Sequence, residues 1–247
     1  MKTLWLKTID STNSEALRRM GELPSGTVLA AYEQTAGRGQ RGNTWFSEPG
    51  KNLTFSIVLK FPAGFLAAGD AFLLNCLCSV AAVDFLSGFG VVASVKWPND
   101  IFVGGRKICG MLLENGLIGS FVAHSVMGIG MNVFQTEFPL VNATSLALAL
   151  GGDARPGVDL VQCLERFLRC FEERLQMLDD AAGRRELFDA YESLLYRRDV
   201  SARYHDCLRG EDFEGVIRGV EADGRLCVED ASGTVRRYYF KEISYVL

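Results

Sequence analysis

A glycine-rich segment with two arginines is the first candidate for binding chemistry. It runs from Gly37 to Trp45 and reads GRGQRGNTW. Glycines let backbone N–H groups approach an anion closely, and the guanidiniums of Arg38 and Arg41 suit carboxylate or phosphate oxygens. Trp45 would then cover a bound ligand. The spacing matches neither the GxxxxGK[ST] loop nor the GxGxxG loop of nucleotide-binding proteins, and a solvated basic turn is the alternative interpretation.

The KWPND segment, Lys96 to Asp100, is the second candidate. It places a cation and a carboxylate on either side of a rigid proline turn. A lysine at a strand end is most often solvated, unless the fold places it opposite an anion. The segment alone is therefore compatible with a simple turn as well as with catalysis.

Cysteines and histidines give little support for a metal site. The seven cysteines are an odd number without a CxxC pair, which argues against a disulfide framework or a zinc knuckle. Neither His124 nor His205 has a second ligand at metal spacing. We therefore predict reduced thiols and no metal-ligating side chains.

The glycine-rich loop lies between two predicted strands. Alternating or β-prone apolar residues predict strands over Thr27 to Glu33 and Asn52 to Lys60, after a first strand over Thr3 to Ile9. Thr12 and Glu15 predict a capping box that opens a short helix closed by Gly21. A long glycine-rich loop between strands usually has a function.

Further elements surround the KWPND segment. The most apolar window, Ala71 to Leu86, is interrupted by polar residues and falls short of a membrane span, so it predicts a buried helix. The remaining elements before residue 198 are a strand over Val91 to Trp97, a hairpin from Ile101 to Glu114, a strand over Ser120 to Met127, and helices over Val158 to Leu178 and Arg184 to Leu195.

The pattern of predicted secondary structure changes beyond Arg198. Short β-rich runs are separated there by turns that contain Gly, Asp or Ser. They predict a small barrel of about five strands. The runs are Val200 to Tyr204, Phe213 to Val220, Arg225 to Glu229, Val235 to Phe240 and Ile243 to Val246.

Composition narrows the function classes. Of 247 residues, 48% are hydrophobic and 23% are charged, which is the balance of a folded globular chain. The formal charge of −4 gives no basic footprint for nucleic acid. The start of the chain lacks the apolar core of a signal peptide, so we expect a cytoplasmic protein.

Four separated blocks, in a fixed order, resemble the biotin protein ligases. One such block would be weak support, whereas four in order are strong. The resemblance implies an α+β fold, with a mixed β-sheet and flanking helices of the class II synthetase-like type, followed by a small SH3-like β-barrel. We assign residues 1–197 to the catalytic domain and 198–247 to the barrel. The blocks are Asp10 to Asn13, Gln34 with Gly37 to Trp45, Lys96 to Asp100 with Lys107 to Glu114, and Gly128 to Val133.

The resemblance also implies an activity. Such ligases join the carboxylate of biotin to the α-phosphorus of ATP, with Mg²⁺ assisting, and form biotinyl-5'-adenylate. They then pass biotin to a specific lysine of a biotin carboxyl carrier domain. We therefore expect biotin, ATP with Mg²⁺ and a carrier domain as partners, and no nucleic acid or membrane; whether the chain forms a homodimer is left open.

The resemblance assigns roles to particular residues. Lys96 and Arg38 are the implied catalytic residues, with Lys96 neutralising charge at the pentacoordinate phosphorus. Capping of a helix is the alternative role for Ser11 and Thr12, and core packing is the alternative for Leu112. The implied biotin-binding residues are Ser11, Thr12, Asn13, Gln34, Gly37, Arg38, Gly39, Gln40, Lys96, Gly110 and Leu112. The implied adenylate-binding residues are Arg38, Arg41, Trp45, Lys96 and Asn132.

Two positions depart from the family pattern. Many members carry arginine where this chain has Gln40, and often another where it has Asn43. Two phosphate contacts are then missing, so we expect weaker retention of the adenylate. Some members also begin with a DNA-binding winged helix, and the first block here starts too close to Met1 to leave room for one.

Three other functions compete with the ligase hypothesis. A lipoate or octanoate ligase or transferase of the same fold would lack the tryptophan-bearing arginine loop together with KWPND. A non-catalytic biotin-sensing regulator would need a DNA-reading element and a basic face. An inert binding module would show no biotin-dependent exchange between ATP and pyrophosphate.

Overall fold

A seven-stranded sheet forms the framework of the larger part of the chain. The computed structural model describes residues 1–139, 142–152 and 157–246. Strand order is β1-β2-β3-β7-β6-β5-β4, with β1 and β2 parallel and the other neighbours antiparallel. This is the mixed sheet that the sequence predicts. Its strands are β1 (Lys2–Ile9), β2 (Thr27–Gln34), β3 (Leu53–Lys60), β4 (Ser94–Lys96), β5 (Asp100–Val103), β6 (Arg106–Ile118) and β7 (Phe121–Met131).

Helices flank this sheet and bury its core. The apolar face of α4 recurs at every third or fourth residue, from Leu160 through Phe167 to Phe171, and these side chains are buried. The central helix α2 is buried on nearly all sides and packs against α4 and α5. The helices are α1 (Thr12–Arg18), α2 (Phe72–Ser87), α3 (Leu146–Ala149), α4 (Leu160–Leu175) and α5 (Ala181–Ser193).

The apolar stretch that includes α2 is longer than the sequence suggested. Among the described residues, Ala68–Ser87 is 20 residues long and apolar enough, by length and composition, to cross a membrane. However, 67% of its most apolar window is buried inside the fold. A core helix that packs against two other helices accounts for this apolar composition. The prediction of a buried helix in this segment is confirmed.

Two local predictions were wrong. The N-cap of α1 is Ser11, whose hydroxyl accepts from the N–H of Ser14, so no capping box forms between Thr12 and Glu15. The strand predicted over Val91 to Trp97 is limited to Ser94–Lys96, because Val91 donates its N–H to the end of α2 instead of to a neighbouring strand. A complete capping box does form at Asp159, at the start of α4.

The C-terminal part folds as a second, antiparallel sheet. Five strands are present, as predicted, in the order β11-β10-β9-β8-β12. Within the described residues the strand pairing leaves β11 and β12 at the two edges, so the five strands form an antiparallel sheet whose pairing does not close into a barrel. The strands are β8 (Ser201–Asp206), β9 (Glu211–Val220), β10 (Leu226–Asp230), β11 (Val235–Tyr238) and β12 (Ile243–Tyr245).

The two sheets meet at the KWPND turn. The indole of Trp97 is only 5% exposed, and its N–H donates to the carbonyl of Gly224 at 2.9 Å. The hydroxyl of Tyr191 on α5 donates to the carbonyl of Pro98 at 2.8 Å. The predicted domain boundary lies between α5 and β8, in the segment that connects the sheets. The turn is therefore held by both parts of the chain.

Candidate active site

One cavity of about 520 Å³ collects most of the predicted site residues. Its walls come from the start of α1, the glycine-rich loop, the KWPND turn, strands β6 and β7, and the end of the C-terminal sheet. Gly37 and Asn132 do not line it, and the side chain of Arg41 lies outside the described part of the structure. The predicted residues that do line it are Ser11, Thr12, Asn13, Gln34, Arg38, Gly39, Gln40, Trp45, Lys96, Gly110 and Leu112.

Hydrogen bonds between α1 and the sheet set the polar end of this cavity. The backbone N–H of Thr12 donates to Oε1 of Gln34 at 2.8 Å, and the Thr12 hydroxyl lies 3.1 Å from the same oxygen. The amide nitrogen of Asn13 donates to the carbonyl of Leu112 at 3.1 Å. A small polar ligand group would meet side chains whose orientations are already fixed.

Ser56 is a member of this network that the sequence analysis missed. Its hydroxyl is fully buried, lies 2.7 Å from the hydroxyl of Thr12, and donates to Oδ1 of Asn13 at 2.5 Å. A buried hydroxyl needs a partner, and this one fixes which way the Asn13 amide points. A serine inside the apolar run of β3 was the available signal.

The glycine-rich loop forms a small closed turn beside α1. The N–H of Gly39 donates to the carbonyl of Asn43 at 2.7 Å, and that of Trp45 donates to the carbonyl of Gly37 at 3.0 Å. A Cβ at Gly37 would lie 2.4 Å from the Trp45 carbonyl oxygen. Only glycine fits there, so Gly37 shapes the loop without lining the cavity.

A carboxylate on β6 holds the arginine of the loop. The guanidinium of Arg38 donates to both oxygens of Glu114, at 2.8 and 3.0 Å. Glu114 also accepts from the Asn13 amide at 2.9 Å. Glu114 therefore joins the loop to the polar end of the cavity. It lies within a quoted motif block, but no spacing in the sequence singles it out.

Two glycines on adjacent strands provide a flat floor for the loop tryptophan. Gly110 and Gly130 are paired across β6 and β7. An added Cβ at Gly130 would lie 2.3 Å from the indole of Trp45, and one at Gly110 would lie 3.1 Å from it. The indole nitrogen is buried and has no hydrogen-bond partner within the described residues. Trp45 thus covers the sheet at one wall of the cavity.

Two lysines and one carboxylate lie at the KWPND end. In the described part of the chain, the ammonium of Lys96 makes no hydrogen bond or ion pair, and it lies 5.0 Å from the ring centres of Phe102 and Tyr245. Burial lowers the pKa of Lys96, and the charge of nearby Asp100 opposes that shift. A partly buried cation without an ion-pair partner favours a negatively charged ligand.

Lys107 is the second lysine, and the sequence analysis gave it no role. Its ammonium forms an ion pair with Asp100 at 2.6 Å and lies 5.7 Å from the ring centre of Trp45. The hairpin register pairs Lys107 with Phe102, whose ring centre lies 5.0 Å from the ammonium of Lys96. The two glycines after Val103 were the available signal, because they set that register.

Asn132 is a buried residue whose side chain bonds to the backbone. It is 4% exposed, and its amide nitrogen donates to the carbonyl of Thr144 at 2.9 Å. Its side-chain oxygen Oδ1 is buried without a partner among the described residues. The suggested contact with adenine remains a prediction.

Comparison with known proteins follows the same division of the chain. Residues 5–132 match the model of the Biotin/lipoate A/B protein ligase family. The fold and the cavity therefore define the class, and the chain belongs to the biotin/lipoate A/B protein ligase family. Residues 207–245 match the Biotin protein ligase C terminal domain, which places the chain among the biotin protein ligases of that family.

Individual relatives agree with this assignment. The bifunctional ligase/repressor BirA of Escherichia coli is 33% identical over 245 residues, which cover 97% of this chain and 72% of the relative. The biotin–[acetyl-CoA-carboxylase] ligase of Mycobacterium tuberculosis is 32% identical over 236 residues, covering 91% and 82%. A solved structure of the biotin protein ligase from Aquifex aeolicus with biotin and ATP has a TM-score of 0.77 at 26% identity, covering 98% of this chain and 97% of that one.

Proposed function

We propose that the protein converts biotin and ATP to biotinyl-5'-adenylate in this cavity and then transfers biotin to a lysine of a carrier domain. In the first step a carboxylate oxygen of biotin forms a bond to the α-phosphorus, and the bond from that phosphorus to pyrophosphate breaks. In the second step the amine of the carrier lysine forms an amide, AMP leaves, and a proton passes to solvent. Family membership supports the reaction class.

The observation that carries the proposal is that the cavity has hydrogen-bonding groups at one end and a cation at the other. Hydrogen-bonding groups at Thr12 and Gln34 lie at its polar end, and the ammonium of Lys96, which has no anion, lies at its KWPND end. Biotin has a polar ureido ring at one end and a carboxylate at the other. A ligand with this polarity matches the cavity in both position and charge.

Arg38 and Lys96 supply fixed positive charge to the reacting groups. Glu114 accepts two hydrogen bonds from the guanidinium of Arg38. The guanidinium retains further N–H groups that can donate to a carboxylate or phosphate. Lys96 would stabilise the charge that builds on phosphorus without transferring a proton. Trp45, on its floor of glycines, would exclude water from the mixed anhydride, which water otherwise hydrolyses.

The described residues offer no set of protein ligands for a resident magnesium ion. No cluster of three or more His, Cys, Asp or Glu side chains that could hold a metal is present in the described residues. The carboxylates of Asp100 and Glu114 are already paired with Lys107 and Arg38. The protein groups do not fit a resident ion, and we propose that Mg²⁺ arrives with ATP as part of that substrate.

We also propose a reducing, cytoplasmic setting. All seven cysteines are free. Burial raises the pKa of Cys78 and Cys109 well above the ordinary thiol value, which keeps both thiols protonated and inert. Free structural thiols are usual in a reducing compartment.

Transfer to a carrier domain is the direct test of the proposed activity. With ATP, Mg²⁺ and biotin, the purified chain is expected to label a biotin carrier domain, as detected with streptavidin. A carrier variant with the acceptor lysine replaced by arginine is the control. Parallel reactions with octanoate or lipoate are monitored by intact mass. Labelling of the carrier by either acid, with none by biotin, would reassign the chain as a lipoate or octanoate ligase.

A further inference from the structure

Lys96 is held between one aromatic ring from each sheet. Its ammonium lies 5.0 Å from the ring centre of Phe102 on β5 and 5.0 Å from that of Tyr245 on β12. A cation within about 6 Å of a ring centre is attracted to the face of the ring. The catalytic sheet and the C-terminal sheet therefore contribute equally close contacts to the same ammonium.

The C-terminal sheet fixes the ring of Tyr245. Tyr245 pairs with Tyr204 across β12 and β8, and the two ring centres are 5.5 Å apart. Tyr204 is fully buried, and the ring of Tyr196 lies 6.4 Å from Tyr245 on another side. The ring that contacts Lys96 is thus held by two neighbouring aromatic rings, one of them in the second sheet.

No other group in the described structure restrains the ammonium. Lys96 makes no ion pair or hydrogen bond there, and the nearby anion Asp100 is taken by Lys107. A lysine side chain has four rotatable bonds and a strongly hydrated head group. Without the ring of Tyr245, the ammonium is expected to turn towards water and to leave the cavity wall.

From these contacts we propose that Tyr245 is a positioning residue for Lys96, so that the C-terminal sheet completes the adenylation site. Tyr245 itself lines the cavity, next to Ser244 and Ile243. The inference rests on the proposed function for the identity of the reaction. The contact between ring and ammonium does not depend on it and can be tested separately.

Kinetics of the Tyr245→Leu variant test the proposal. We expect kcat for biotin-dependent exchange of pyrophosphate with ATP to fall by roughly threefold to thirtyfold, with little change in KM for biotin, because the lost contact acts on the placement of the cation. Tyr245→Phe keeps the ring and should retain most of the parental kcat. Tyr239→Leu is the matched control, since it removes an exposed ring that lies just after β11, 5.6 Å from Arg225.

A double-mutant cycle shows whether the effect passes through Lys96. In a Lys96→Met background, Tyr245→Leu should have no further effect on kcat, because the positioned group is already gone. Full additivity of the two losses would overturn the proposal. If Tyr245→Leu melts well below the parent chain, Tyr245→Met, an unbranched apolar replacement, takes its place in both experiments.

A spectroscopic measurement separates this proposal from the reaction itself. Reductive methylation with ¹³C-formaldehyde labels lysines, and the Lys96 methyl resonance, identified by its loss in Lys96→Met, should be shifted by the adjacent ring currents. Tyr245→Leu should reduce that shift, and Tyr245→Phe should preserve it. An unchanged shift in Tyr245→Leu would overturn the positioning role alone. A shifted resonance in a chain without exchange activity would overturn the proposed function alone.

Discussion

Replacing Lys96 with alanine is expected to lower the rate of adenylate formation about a hundredfold and to weaken biotin binding far less. Loss of one preorganised electrostatic contact to a transition state typically costs on the order of 3 kcal/mol. The ammonium has no anion of its own in the described structure, so its charge is free to act on developing negative charge at phosphorus. An interaction made mainly in the transition state affects the chemical step more than binding.

Single-turnover adenylation, with biotin affinity measured in parallel by calorimetry, checks this prediction. Lys60→Ala is a suitable control, because Lys60 also ends a strand but is exposed and lies outside the cavity. Adenylation at the parental rate in Lys96→Ala would remove Lys96 from the mechanism. Lys107→Ala provides the comparison with the second cation, and we expect a loss in the same direction because it also leaves Asp100 unpaired.

Replacing Arg38 with alanine is expected to weaken biotin binding and to let the adenylate escape or hydrolyse faster. A hydrogen bond to a charged group contributes about 1.5–3 kcal/mol, so we expect a loss of about tenfold to a hundredfold. The variant also removes the two bonds to Glu114 that fasten the loop to β6. Biotin affinity and the rate of adenylate release into solution are the quantities to measure.

Hydrogen exchange over residues 37–45 tests the closure part of this account. The glycines and the few backbone bonds of the loop predict opening before ligand arrives, and biotin should slow exchange there. Glu114→Gln, which weakens the hold on Arg38, should speed exchange in the ligand-free chain. Glu229→Gln breaks a comparable pair with Arg218 in the C-terminal sheet and serves as the control. Equal exchange with and without biotin would mean that the loop is preformed.

The departures at Gln40 and Asn43 bear on the same measurement. Both residues line the cavity, and the side-chain amide oxygen of Gln40 is buried without a partner in the described structure. Neither side chain carries the positive charge that an arginine would offer to a phosphate. The expectation that the parent chain retains its adenylate loosely stays a prediction, and the measured release rate decides it.

Much of the site could be predicted because its chemistry lies in short local segments. The glycine-rich loop, the KWPND turn and the start of α1 each carry their residue types within a few positions, and the cavity brings all three together. The cap of α1 was misplaced by one residue because Ser11 and Thr12 both suit a helix start. In that case only the observed hydrogen bond distinguishes them.

The missed residues are those defined by contacts between distant strands. Ser56 reaches Asn13 only after β3 and α1 pack together, and Glu114 on β6 reaches Arg38 only after the glycine-rich loop packs beside that strand. Tyr245 meets Lys96 only because the second sheet docks on the Trp97 indole. Strand register and docking are set by tertiary packing, so no spacing along the chain reveals these pairs.

Exchange of labelled pyrophosphate into ATP tests the central claim most directly, because it reports the formation and reversal of the acyl-adenylate without any carrier domain. The purified chain with ATP, Mg²⁺ and biotin is expected to catalyse this exchange, to depend on biotin, and to lose about a hundredfold in rate in the Lys96→Ala variant. No exchange with biotin, or the same exchange when octanoate replaces biotin, would contradict the account.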